Sequence, residues 1–253
     1  MCTPGPNVYP ACAQNLGPAD QWPRAVSELS KCIALLALVF VLLAGAGLGL
    51  GGQVGATLFA HGVVLTQLWA PMARADDTGH PLAALGLHLG LWRQELRLAG
   101  VLALALWPLW AGALTGARPL MQRWELWPLG AAPWAGGGTA AIILWVLGQV
   151  LGVALPEELF WRGYVQPVLE ARFGGGRQAS GALTFGRGTA LCTLLFAAGH
   201  VVGGAGPLAL GTFFPGCVFA LLRARAGSIL GAVALHAGCN VFAAAIMQTF
   251  DGF

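Results

Sequence analysis

Charge is what this sequence has least of: Lys and Arg number 13 and Asp and Glu 10 among 253 residues. A water-soluble domain wants a surface about 25–35% charged, so that class is excluded. No Ser-rich or charged linker divides the chain and no internal repeat of fixed period is present, which excludes a string of domains and a solenoid. No basic cluster marks a nucleic-acid footprint, so no nucleic-acid partner is expected. The first residues lack the short basic start and early apolar core of a secretory signal, so the leader is expected to stay on the mature protein.

What fills the sequence instead is apolar: 57% hydrophobic residues, 38 Gly, 10 Trp and a mean hydropathy of +0.71. A Pro-, Gly- and polar-containing tail, residues 1–31, precedes an integral-membrane domain, 32–253. Within that domain seven apolar runs follow one another, 32–51, 54–72, 98–114, 139–161, 188–202, 207–222 and 228–248. Most reach the roughly 17–25 residues a spanning helix needs, and only helices or closed barrels satisfy their backbones in lipid. The expected fold is all-α, a polytopic transmembrane bundle of about seven spanning helices with a polar site at mid-membrane. Between the second and third runs, Leu82–Trp92 is weakly amphipathic and suits the membrane surface, with His80 and His88 interfacial. Cys2 and Cys12 lack zinc-knuckle spacing, and Cys32, Cys192, Cys217 and Cys239 lie in apolar runs as packing thiols.

Alternate connections put Arg24, Lys31, Arg74, Arg93, Arg97, Arg172, Arg177, Arg187, Arg223 and Arg225 on one side, against Arg118 and Arg123 on the other. The positive-inside rule then makes the N-terminus cytoplasmic and, with an odd helix count, the C-terminus external; the short connections and compact size suit a bacterial cell membrane. Trp107, Trp110, Trp124, Trp127 and Trp134 flank the third and fourth runs, where an interfacial aromatic belt is expected.

Against this background, Pro156-Glu157-Glu158-Leu159-Phe160-Trp161-Arg162 concentrates three charges at the end of an apolar run. An ionisable group near the bilayer centre costs about 2.5–3.5 kcal/mol, so it persists only where it is paired or lines a wet cavity. His200 ends Phe196-Ala197-Ala198-Gly199-His200, and His236-Ala237-Gly238-Cys239-Asn240 adds an imidazole and an amide. Counted back from Arg172, Arg187 and Arg225 at the helical rise, Glu157, His200 and His236 lie at roughly 22, 20 and 16 Å, similar depths near mid-membrane. Glu158 and Arg162 are four apart and form the natural ion pair; Glu157, about 100° around the helix, is the carboxylate without its own cation and the candidate general base. His236 and Asn240 share a face and offer two neutral donors to a developing oxyanion. Pro156 is expected to kink its helix.

Each feature taken alone has a bland counterpart. An intramembrane Glu–Arg pair is often glue between helices, and a lone helix histidine is more often a packing residue. His61, without a polar companion, is read that way. Four elements of catalytic type on three helices at one depth are harder to obtain from packing.

Together, Glu157-Glu158-Leu159-Phe160-Trp161-Arg162, Phe196-Ala197-Ala198-Gly199-His200 and His236-Ala237-Gly238-Cys239-Asn240 resemble the EExxxR, FxxxH and HxxxN motifs of the CPBP family. That family comprises CAAX prenyl endopeptidases and bacteriocin-processing, Abi-type intramembrane proteases. The order of the motifs agrees, as does an Arg-Ala-Gly-Ser turn at Arg225–Ser228; the resemblance spans about 139–248, the expected protease core. It implies a glutamic-type intramembrane endopeptidase in which Glu157 and His200 activate a water. His236 and Asn240 would hold the oxyanion, with Glu158, Arg162 and Phe196 in support. A zinc ion on Glu157, His200 and His236 is the alternative; HExxH is absent, and a metal-free site with no cofactor is preferred. The expected partners are the lipid bilayer and a membrane-anchored protein or peptide substrate, lipidated or not; the sequence selects neither a substrate nor an oligomeric state. Two rival functions stay open, an ion or proton transporter and a non-catalytic peptide-binding or immunity protein.

Overall fold

The structure, a computed structural model, describes residues 18–76, 85–87, 89–123, 138–177 and 182–251. Cys2, Cys12, His80, His88, Trp124, Trp127, Trp134, the first part of the tail and residues 82–84 of the amphipathic piece lie outside the described residues. The seven expected helices are present: α1 (Pro18–Gly47), α2 (Gly52–Asp76), α3 (Trp92–Arg123), α4 (Thr139–Phe173), α5 (Arg187–Ala205), α6 (Pro207–Ala226) and α7 (Leu230–Asp251). Five candidate spans, Ser27–Gly47 within α1 and α3 to α6, are long and apolar enough to cross a membrane, and Leu230–Ile246 of α7 is a shorter apolar helix. α1 begins inside the segment expected as a tail, with Pro18 in its first turn, where a missing N–H costs nothing.

The outer surface is apolar, as lipid requires: Val41, Trp69, Leu104, Leu144 and Phe214 are all exposed. α4 changes character along its length. Thr139–Gly148 has no buried residue, whereas all seven residues of Leu159–Val165 are buried. The site helix thus leaves the lipid face and enters the centre of the bundle at the charged cluster.

α4 is not a uniform α-helix. Wide π-helical turns occupy Gln149–Ala154 and Leu159–Val165, on either side of a short α segment, Leu155–Glu158. Pro156 is buried in that segment and the helix runs through it. The i→i+5 turns accommodate the missing N–H and the ring without ending the helix, and such turns are frequent at functional sites.

Three further contacts place the supports of the site. The described part of the interval before α3 is a turn, with Leu85 buried against Leu159, Ile229 and Val233 while Leu89, Leu91 and Trp92 are exposed. Arg223, counted with the cytoplasmic charges, is buried and donates from Nε to the carbonyl of Arg162 at 3.3 Å. Trp107 stacks on Phe242 of α7 with centroids 4.9 Å apart, which makes it part of a contact between α3 and α7. Between α4 and α5 the Gly-rich loop holds two short antiparallel strands, β1 (Gly176–Arg177) and β2 (Leu183–Thr184), paired Gly176 to Thr184 and Arg177 to Leu183. α6 ends at Gly227, whose φ of 71° permits the tight turn into α7.

Candidate active site

Three helices bring the predicted residues together. α4 carries Glu157, Glu158 and Arg162, α5 carries Phe196 and His200, and α7 carries His236 and Asn240. Two carboxylates adjacent in sequence point to different environments because successive helical residues are rotated by about 100°. Glu158 is fully buried, while the Glu157 side chain keeps 21% of its accessibility.

Glu158 is held from two sides. Its Oε2 pairs with Arg162 Nε at 3.2 Å, and its Oε1 accepts from His236 Nδ1 at 2.8 Å. The Arg162 guanidinium also donates from Nη2 to the carbonyl of Gly216 at 3.2 Å and lies 4.2 Å over the Phe196 ring. Phe196 in turn meets His200 edge-on, and Phe219 stacks on His236. A buried charge stays tolerable only where it is paired and hydrogen-bonded, and this constellation meets that condition for Glu158.

Glu157 faces the two imidazoles. Its Oε2 lies 4.0 Å from His200 Nε2 and 3.8 Å from His236 Nε2. Both separations exceed direct hydrogen bonding and suit a bridging water. That oxygen is buried and accepts no hydrogen bond from the described residues. His200 Nδ1 bonds the carbonyl of Phe196 at 3.0 Å. A carbonyl only accepts, so Nδ1 carries a proton, and in the neutral form of the ring Nε2 offers its lone pair towards Glu157.

The same logic refines the expectation of two neutral oxyanion donors. An ionised Glu158 only accepts, so His236 spends its Nδ1 proton there, and Nε2 donates only when the ring carries both protons. Asn240 does not touch the ionised groups directly; its Nδ2 donates to Gln149 Oε1 at 3.2 Å. His61 is exposed and bonds the carbonyl of Thr57 in its own helix. Among the described residues no group of three or more His, Cys, Asp or Glu is arranged to hold a metal ion.

Sequence reasoning missed four contributors. Gln149 is one. Glu95 of α3 is buried, and its Oε2 accepts the Gly231 N–H at 3.0 Å in the first turn of α7. Gln166 and Glu170 continue the four-residue spacing of Glu158 and Arg162: Gln166 donates to Glu170 at 2.8 Å and to the Ala220 carbonyl at 3.1 Å, and Thr189 donates to Glu170 at 2.7 Å. That repeat was available in the sequence; the Glu95 contact, between residues 136 apart, was not.

Comparison with known proteins bears on the same three helices. No curated protein and no solved structure gives a significant match. Residues 139–242 match the family described as type II CAAX prenyl endopeptidase Rce1-like, an interval that contains every motif residue above. The match supports an intramembrane endopeptidase of CAAX type in general. Residues 139–242 of this chain are thus similar to the Rce1-like domain of the CPBP family.

Proposed function

We propose that the chain is a glutamic-type intramembrane endopeptidase that hydrolyses a peptide bond in a membrane-anchored protein or peptide. The observation that carries this reading is Glu157 Oε2 facing both His200 Nε2 and His236 Nε2, while Glu158 is committed to Arg162 and His236. A water between Glu157 and His200 donates one hydrogen to the carboxylate and one to the Nε2 lone pair. Its own lone pairs are then left for a substrate carbonyl carbon. As the C–O bond forms, Glu157 takes a water proton and the carbonyl π electrons move onto oxygen. Asn240 Nδ2 and doubly protonated His236 donate to that oxyanion. Collapse breaks the C–N bond, and the proton on Glu157 passes to the departing nitrogen.

Arg162, Glu158 and Phe196 keep His236 and His200 in these orientations. The positive-inside distribution supports a cytoplasmic N-terminus and an external C-terminus. The family description, a CAAX prenyl endopeptidase, supports a prenylated C-terminal substrate.

The test is cleavage of a membrane-anchored peptide library by purified protein, comparing wild type with Glu157→Gln, each with and without a strong zinc chelator. The substitution keeps shape and removes the base, so activity should fall about a hundredfold or more. Activity that survives chelation and is lost in Glu157→Gln supports the mechanism, and the cut sites define the substrate class. Loss on chelation would move Glu157, His200 and His236 to the role of zinc ligands. Wild type without cleavage, or Glu157→Gln at full activity, overturns the proposal.

A further inference from the structure

Gln149 is the sole amide or ionisable side chain between Thr139 and Glu157 in the sequence. A polar side chain in an apolar spanning helix is disfavoured unless it finds a partner. Its partner here is specific: Gln149 Oε1 accepts from Asn240 Nδ2 at 3.2 Å, across 91 residues of sequence. Gln149 also begins the wide turn Gln149–Ala154, along which α7 packs. The two amides are half-buried and join α4 to α7 one helical turn from His236.

We propose that Gln149 is a positioning residue for the hydrolysis described above, and that it acts by fixing the amide of Asn240. The inference rests on the protease reading. An asparagine amide has nearly the same shape in both flipped orientations but opposite chemistry, since one end donates and the other accepts. An oxyanion needs the donor. With its Oε1 accepting from Nδ2, Gln149 takes one of the two Nδ2 hydrogens and leaves the other for the substrate oxygen. It also stops the side chain from rotating about χ2, so the donor is held in place before charge develops.

Glue between helices and positioning of a donor make different predictions. Glue changes stability whatever residue 240 does in the reaction. Positioning changes turnover, and only through Asn240.

The experiment measures kcat, KM and thermal unfolding on a membrane-anchored peptide cut by wild type, using Gln149→Met and Gln149→Glu, each alone and combined with Asn240→Ala. Gln149→Met keeps length and loses the acceptor; it should lower kcat about ten- to a hundredfold with KM nearly unchanged. Gln149→Glu keeps an acceptor and should stay within about threefold of wild type. In the Asn240→Ala background, Gln149→Met should cause no further loss, since the group it positions is gone.

Full kcat in Gln149→Met, or a loss that multiplies with that of Asn240→Ala, overturns the proposal while leaving the protease reading intact. If Gln149→Met does not fold, a folded Gln149→Glu variant with kcat down more than tenfold overturns it as well. A wild type that cleaves nothing overturns both, and is told apart from the other outcomes by the absence of any reference activity.

Discussion

Glu158 and Arg162 form an ion pair at 3.2 Å with both side chains fully buried, and the same carboxylate holds His236 Nδ1. Removing the guanidinium leaves that carboxylate with the imidazole alone in a dry interior. Arg162→Ala is therefore expected to lose about 3–5 kcal/mol of stability along with activity. Arg162→Lys restores a charge but not the planar fork that also reaches the Gly216 carbonyl, so it should recover stability only partly. Thermal unfolding in detergent decides; an Arg162→Ala protein as stable as wild type would show that the pair contributes little.

Gly216 is the close neighbour that lets Arg162 lie flat. A Cβ at this position would stand 2.9 Å from Thr193 Cγ2 and 3.3 Å from both Arg162 Nη2 and Phe196 Cδ1. Gly216→Ala is expected to destabilise by about 1–3 kcal/mol and to reduce turnover by displacing the guanidinium. Gly148→Ala, where an added Cβ meets nothing within 4 Å, is the matched control and should be neutral or slightly stabilising. Equal unfolding temperatures for the two variants would contradict the packing argument.

Glu95 ties α3 to the start of α7 through the Gly231 N–H. A carboxylate there satisfies an orphan donor and favours the positive end of the helix dipole. Glu95→Ala is expected to cost about 1–3 kcal/mol. Glu95→Gln keeps the acceptor and should cost less. Comparing the two by chemical or thermal denaturation separates the hydrogen bond from the charge, and identical losses would mean that charge dominates.

The charge distribution makes a topological prediction. With native cysteines replaced, Ser27→Cys at the start of the first span should react with a membrane-impermeant thiol reagent from the cytoplasmic side. Leu50→Cys, in the turn after α1, should react from the outside. Labelling of both from one side would mean that α1 does not cross.

The apolar runs and the three polar motifs determined most of the architecture before any coordinates, because lipid leaves the backbone few alternatives to a helix. The division of labour between adjacent carboxylates was also legible: Glu158 and Arg162 four apart must share a face, and Glu157 cannot share it. Helical spacing likewise placed His236 and Asn240 together on α7. Tertiary structure decided what those faces meet. That His236 spends its Nδ1 proton on Glu158, that Asn240 is held by Gln149, and that Glu95 caps α7 depend on contacts between residues 78, 91 and 136 apart. That Arg223 turns inward to the Arg162 carbonyl was hidden for the same reason, since charge asymmetry counts side chains by connection and does not see their partners. Local periodicity specifies which face a side chain occupies; only the packing of helices distant in sequence specifies its partner, and at this site the partner sets which nitrogen carries the proton.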